Sequence, residues 1–270
     1  MERKKVAFMY DFDYTLCKQY MFEYGFLASF GENADKYWNE NVELCKKHNM
    51  DNNLGYMYLL IELAKKKGKK LTKDYIKSYG KGIEFYEGLD TWFKRTTEYG
   101  KKLGLEVEHY IISSGLKELI EGTSVAGDVK RIFGSTFAYD ENGEAFWPAQ
   151  VVNYTNKTQY IFRIKKNMID NLYDQYEVNE YIEKEKKMPY RNMIYFGDGE
   201  TDIPCMKLVK DKGGCSVCVY SLAKDGAKAV AEKILADGRV NFIVPANYSK
   251  DSELDKKIKA ELDAIASQTD

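Results

Sequence analysis

Along the C-terminal two-thirds of the chain, short apolar runs alternate with stretches of helical period. Val6 to Phe12, Val107 to Ile112, Asn192 to Phe196, Ser216 to Tyr220 and Asn241 to Val244 read as strands. Most are flanked by charge or glycine, the pattern of strands covered on both faces. Between them, Thr91 to Leu103 reads as a helix closed by Gly104. Lys157 to about Lys187 reads as one long charged helix stopping before Pro189. Ser252 to about Ser267 opens with Ser252-x-x-Asp255, a capping-box variant. This alternation predicts an α/β fold with a mostly parallel sheet.

Two stretches break the rhythm. From Cys17 to Gly88 no strand pattern occurs, and Ala34 to His48 and Leu54 to Lys67 carry helical periodicity. An all-helical insertion in an α/β chain reads as a subdomain over one end of the sheet. The expected division is a core of residues 1–16 and 89–270 with a helical cap of 17–88. In the second break, Ile132 to Val152, Asp140-Glu141-Asn142-Gly143 between aromatic-rich arms predicts a β-hairpin.

Composition narrows the function classes. The 270 residues are 44% hydrophobic, enough for a core, and 41 Lys and Arg nearly cancel 42 Asp and Glu. A net charge of −1 argues against bulk electrostatic binding to nucleic acid or an anionic membrane. The apolar run after the charged N-terminus breaks at Asp11, too early for a signal peptide. No stretch reaches the roughly 18 apolar residues of a membrane span. With five scattered cysteines, these features make a cytoplasmic protein with free thiols the default expectation. Only His48 and His109 occur, so a three-histidine site is excluded. Cys215-x-x-Cys218 crosses a predicted strand and reads as two buried thiols. Gly80-Lys81-Gly82 reads as a bend.

The candidate chemistry lies at strand ends. Asp11-Phe12-Asp13-Tyr14-Thr15-Leu16 leaves the first strand, and carboxylates two apart in extended chain point to one side. That side would face the crevice at the C-terminal edge of a parallel sheet. On its own, Asp-x-Asp equally suits another metal motif or two solvated acids. A second acidic cluster, Gly197-Asp198-Gly199-Glu200-Thr201-Asp202, follows the strand ending at Phe196. Two such clusters would converge on one Mg2+, a hard cation that takes oxygen ligands. A third strand runs into Ser113-Ser114-Gly115-Leu116 before the helical segment Lys117 to Glu121, which suits either an anion site or a simple helix cap. Lys157 heads the long helix between the third and fourth motifs.

Taken in order, these four motifs resemble those of the haloacid dehalogenase (HAD) superfamily of phosphohydrolases, over the span Asp11 to Asp202. The helical insertion after the first motif is similar to the C1 cap of the phosphoserine phosphatase-like branch, and Ser113 to Leu116 resembles that branch's S-G-G-F loop. The resemblance implies a Rossmann-like core and a Mg2+-dependent phosphomonoester hydrolase acting on a small phosphorylated metabolite. It implies Asp11 as nucleophile through an aspartyl-phosphate, and Asp13 as general acid and then base. Thr15, Ser113, Ser114, Gly115 and Lys157 would hold the phosphoryl group. Asp11, Asp198 and the carbonyl of Asp13 would bind Mg2+, with Asp202 as an outer or water-mediated partner.

Two alternatives stay open here. A phosphate-binding or phospho-accepting module without turnover needs neither Asp13 nor a cap. Phosphonate hydrolysis would need an imine-forming cap lysine, and Lys65 to Lys67, Lys69 and Lys70 read instead as a solvated helix end. Phosphoserine itself is disfavoured, because no Arg occurs between Cys17 and Gly88 to grip a carboxylate. The Glu expected nine residues after the nucleophile falls on Tyr20, with Glu23 out of register. Tyr20 and Glu23 are the cap specificity candidates. Most cap aromatics should be core, and a few could form an apolar or cation–π wall over the site.

Overall fold

The computed structural model describes residues 3–179 and 188–268. Seven strands form one sheet: β1 (Lys4–Tyr10), β2 (Leu105–Leu116), β3 (Arg131–Tyr139), β4 (Ala145–Gln150), β5 (Met193–Gly197), β6 (Cys215–Tyr220) and β7 (Phe242–Pro245). Their order is β4-β3-β2-β1-β5-β6-β7, parallel except for β4, which turns back on β3 through the predicted hairpin. Gly143, at φ 74°, takes the left-handed conformation that this turn needs. β1 is central, paired with β2 on one side and β5 on the other. The chain order reverses there, so a crevice opens beyond the ends of β1 and β5.

Strand β1 shows why its apolar run is unbroken. Phe8 and Tyr10 enter the core on one face, while Ala7 and Met9 enter the core on the other. The first face is covered by α4 (Leu89–Lys102) and α10 (Glu253–Ser267). The second is covered by α6 (Lys157–Lys166), α8 (Ile203–Asp211) and α9 (Ala227–Ala236). Ser252 caps α10 by accepting from the Asp255 N–H, as its motif predicts. His109 lies within β2 rather than at its start, stacked beside Tyr10, and burial pushes its pKa down to about 3. All five cysteines are free, with Cys215 and Cys218 buried.

Between β1 and α4 stand three helices: α1 (Ala34–His48), α2 (Asn52–Lys66) and α3 (Lys73–Tyr79). Their apolar faces close over Phe22, Phe26, Phe30 and Tyr37. This helical segment is tied to the sheet at several points. Ala145 N–H donates to Leu71 O at 2.8 Å, joining it to the hairpin. α3 lies on α5 (Lys117–Glu121), where a Cβ on Gly122 would overlap the Lys77 carbonyl.

One predicted element is different. The helix expected from Lys157 to Lys187 ends at Lys166. Asn167 turns left-handed at φ 56° and closes the helix with bonds to Arg163 O and Ile164 O. The buried Arg163 guanidinium donates to the carbonyls of Asn171, Leu172 and Asp174, wrapping the chain back around the helix end. A short helix, α7 (Gln175–Asn179), follows, and the rest of the expected helix, 180–187, lies outside the described residues.

Candidate active site

The floor of the crevice is built from strand ends. β1 stops at Tyr10, two residues earlier than its apolar run suggests, yet Asp11 N–H still reaches Phe196 O at 2.9 Å. Past Phe12 the chain folds into a tight turn, with Phe12 O accepting from Leu16 N–H and Cys17 N–H. Tyr14 there is left-handed at φ 55°. Asp13 therefore reaches the crevice through this turn rather than through strand alternation. Its Oδ1 accepts the Met21 N–H at 2.8 Å.

Lys157, 1% exposed, begins α6 and donates to Asp11 Oδ1 at 2.6 Å and to Asp202 Oδ1 at 2.8 Å. Asp202, fully buried, also accepts from Tyr195 Oη at 2.8 Å and Asp198 N–H at 3.3 Å. This packing explains the glycine ending β5: a Cβ on Gly197 would meet the Asp202 carboxylate at 2.6 Å. Thr15 Oγ1 donates to Asp11 Oδ2 at 3.4 Å.

These acids oppose one another. Burial and the charge of Asp202 push Asp11 up to about 6 despite Lys157. Burial and Asp11 push Asp13 up to about 8. Burial, Asp11 and Asp202 hold Asp198 well above the carboxylate range. Burial by itself would depress the Lys157 ammonium, but Asp11 and Asp202 outweigh it and raise its pKa. Carboxylate oxygens of Asp11, Asp198 and Asp202 lie within 4.8 Å of one another. Lys157 and, for Asp198, Lys224 offset them only in part, and this all-oxygen donor set fits a hard divalent cation.

Above the floor opens a cleft of about 920 Å³. Asp11, Asp13, Lys157 and Asp198 reach its surface, as do Ser114 and Gly115. The last two arrive there because β2 bulges. Ile112 pairs with Phe133 and Leu116 with Ser135, so four steps along β2 match two along β3. Ser113, 1% exposed, lies outside the cleft wall, its Oγ accepting the Gly115 N–H at 3.0 Å. Thr15 and Asp202 are likewise buried outside the wall. Of the two specificity candidates, Tyr20 lines the cleft, whereas Glu23 is exposed and does not.

Several lining residues escaped the sequence reading. Asp51, Asn53 and Asn153 join the start of α2 to the loop before α6: Asn53 Nδ2 donates to Val152 O at 2.8 Å and Asn153 Nδ2 to Asp51 Oδ2 at 2.9 Å. Asp51 also caps α2 through the Asn53 and Leu54 N–H groups, a signal that Asp before a helical run does carry. Lys224 sits 3.5 Å from the centroid of the Tyr14 ring, and no local pattern in the sequence pairs them.

No family model matches the chain. It is 25% identical to an uncharacterised protein of Borreliella burgdorferi, over 92% of this chain and 93% of that one. Among solved structures, a HAD family hydrolase from Salmonella enterica serovar Typhi superposes with a TM-score of 0.58 at 15% identity, covering 94% of this chain and 73% of that one. A substrate-bound phosphoserine phosphatase gives 0.56 at 13% identity, and a phospho-aspartyl intermediate analogue of phosphoserine phosphatase 0.55 at 15%. Each of those two covers 96% of this chain and 99% of the other. The chain therefore has the α/β fold of the HAD hydrolases and phosphoserine phosphatases.

Proposed function

We propose that the protein is a Mg2+-dependent phosphomonoester hydrolase of the HAD superfamily, in its phosphoserine phosphatase-like branch, acting on a small phosphorylated metabolite. In this reading residues 17–88 form the cap over a core of 1–16 and 89–270. One observation carries the proposal: Asp11 is held at the cleft floor by the buried Lys157, with Asp13 beside it and Asp198 within metal-sharing distance.

Asp11 attacks phosphorus, forming an Asp11 Oδ–P bond as the ester P–O bond breaks. Asp13, its Oδ1 anchored by Met21 N–H, gives its proton to the leaving alkoxide. It then takes a proton from a water, whose oxygen attacks phosphorus, releases phosphate and restores the Asp11 carboxylate. Lys157 stays protonated and holds Asp11 in one rotamer while offsetting phosphoryl charge. Ser114 and Gly115 border the phosphoryl position at the bulge of β2, with Ser113 bracing it. Mg2+ would be held by Asp11, Asp198 and the Asp13 carbonyl, with Asp202 behind them, and would neutralise charge on the transferring group.

Phosphonate hydrolysis is less well supported. Lys65, Lys66, Lys67, Lys69 and Lys70 are all exposed and none lines the cleft. The test is release of p-nitrophenol from p-nitrophenyl phosphate, expected to require Mg2+ and to vanish with EDTA. A purified protein inert on a broad panel of phosphomonoesters, yet binding them, would replace this reading with a non-turnover phosphate-binding module.

A further inference from the structure

We propose that the leaving alcohol of the substrate carries a flat heteroaromatic ring, as in a nucleoside 5′-monophosphate, and that this ring stacks on the wall formed by Tyr20 and Trp38. The inference deepens the hydrolase reading and rests on it. Part of the cleft wall is lined by aromatic rings. Tyr14 and Tyr20 have centroids 4.9 Å apart, and Tyr20 and Trp38 6.5 Å. Trp38 in turn packs on Phe22 at 5.6 Å and Tyr56 at 5.8 Å.

The row begins at the chemistry and is fixed to it. Tyr14 follows Asp13 directly, and Tyr56 Oη donates to Ser114 O at 2.8 Å. Phe22 and Tyr56 line the cleft but are nearly fully buried, while Tyr20 is 46% exposed and Trp38 half-buried, so these two present more ring surface. Trp38 Nε1 is buried without a hydrogen-bond partner, and Trp38 lines the cleft.

Other ligand chemistries fit less well. Among the described residues no arginine lines the cleft to fork a carboxylate, and Lys224 is already over the Tyr14 ring. Phe22, Trp38 and Tyr56 pack on one another, with centroids 5.4, 5.6 and 5.8 Å apart, and Tyr20 and Tyr14 continue from Trp38 to Asp13. A cleft of about 920 Å³ is also far roomier than a phosphate with a three-carbon stub needs.

The test is a matched pair with the same primary alkoxide as leaving group: adenosine 5′-monophosphate against ribose 5-phosphate. From the usual strength of base–aromatic stacking, kcat/KM should favour the nucleotide by about 10- to 100-fold, mainly through KM. Trp38→Ala should bring the ratio toward one, Trp38→Phe should retain part of it, and Tyr20→Ala supplies a second variant should Trp38→Ala not fold. Calorimetry on Asp11→Asn should show the same preference in binding. A wild-type ratio within two-fold, a ratio unmoved by both alanine variants, or phosphocholine turned over better than the nucleotide would overturn the inference. Brisk turnover without preference sinks only this inference, whereas no turnover of any ester, p-nitrophenyl phosphate included, sinks the hydrolase reading with it.

Discussion

The floor and the wall of the cleft are built on opposite principles. The floor places five ionisable side chains, Asp11, Asp13, Lys157, Asp198 and Asp202, at or just past the ends of central elements, and Lys157 to Asp11 and Asp202 is a network of short charge-assisted bonds. Its energy is electrostatic and unforgiving, because a buried charge left without its partner has nowhere to go. The wall is a set of rings whose contacts are non-directional and individually replaceable. Substitutions should therefore act in an all-or-none way on the floor and in a graded way on the wall.

The harshest probe of that contrast is Asp11→Asn. If Asp11 is the nucleophile proposed, its removal should lower kcat by at least about 10⁴-fold in a steady-state assay with p-nitrophenyl phosphate, with the circular dichroism spectrum unchanged. Residual turnover within 100-fold of wild type would mean the floor is not the chemical centre. Lys157→Met comes next. It strands Asp11 and Asp202 together, and denaturant unfolding in EDTA should show a loss of about 3–5 kcal/mol, partly recovered on adding Mg2+. No recovery would argue against a cation among these acids.

Milder changes refine the picture. His109 belongs to neither region but sits in β2 beside Phe8 of β1, and its pH response must be separated from that of the floor. Folding holds it neutral, with a pKa near 3 against about 6.5 unfolded, so the unfolded chain binds the extra proton and stability falls as pH drops below about 6.5. Relative to His109→Gln, the wild type should lose about 2 kcal/mol between pH 7 and pH 5 by chemical denaturation. Parallel curves would show that His109 is not buried neutral. Gly197→Ala sets a methyl against the Asp202 carboxylate and should cost about 1–3 kcal/mol, with weaker Mg2+ activation. On the wall, Tyr20→Ala should shift KM between substrates several-fold while Glu23→Gln shifts it by less than two-fold. Equal effects from both would erase the distinction between lining and exposed positions.

The same contrast explains what the sequence makes legible. Floor residues occupy fixed places next to strand ends, so Asp11, Asp13, Lys157, Asp198 and Asp202 can be named from spacing and resemblance alone. The hairpin, the α1 boundaries and the Ser252 cap were equally local signals. What stayed hidden depends on distant parts of the chain. The bulge that carries Ser114 and Gly115 outward, and leaves Ser113 behind, arises from the pairing of β2 with β3. The helix from Lys157 ends early because Arg163 binds carbonyls downstream, and an Asn at 167 within a charged run gives little local warning. The Tyr20–Trp38 face and the Lys224–Tyr14 contact each join segments that only the folded chain brings together.

The ties between α2 and the loop before α6 carry a mechanical consequence. Asn53 to Val152 and Asp51 to Asn153 link the helix bearing Tyr56 to a loop whose Asn153 O also accepts the Lys157 N–H at 3.0 Å. Any displacement of α2 away from the sheet would strain this linkage and pull on the backbone that seats the lysine. In the proposed reading, admitting an ester and seating Lys157 would thus be geared together, like a latch and a trigger on one spindle.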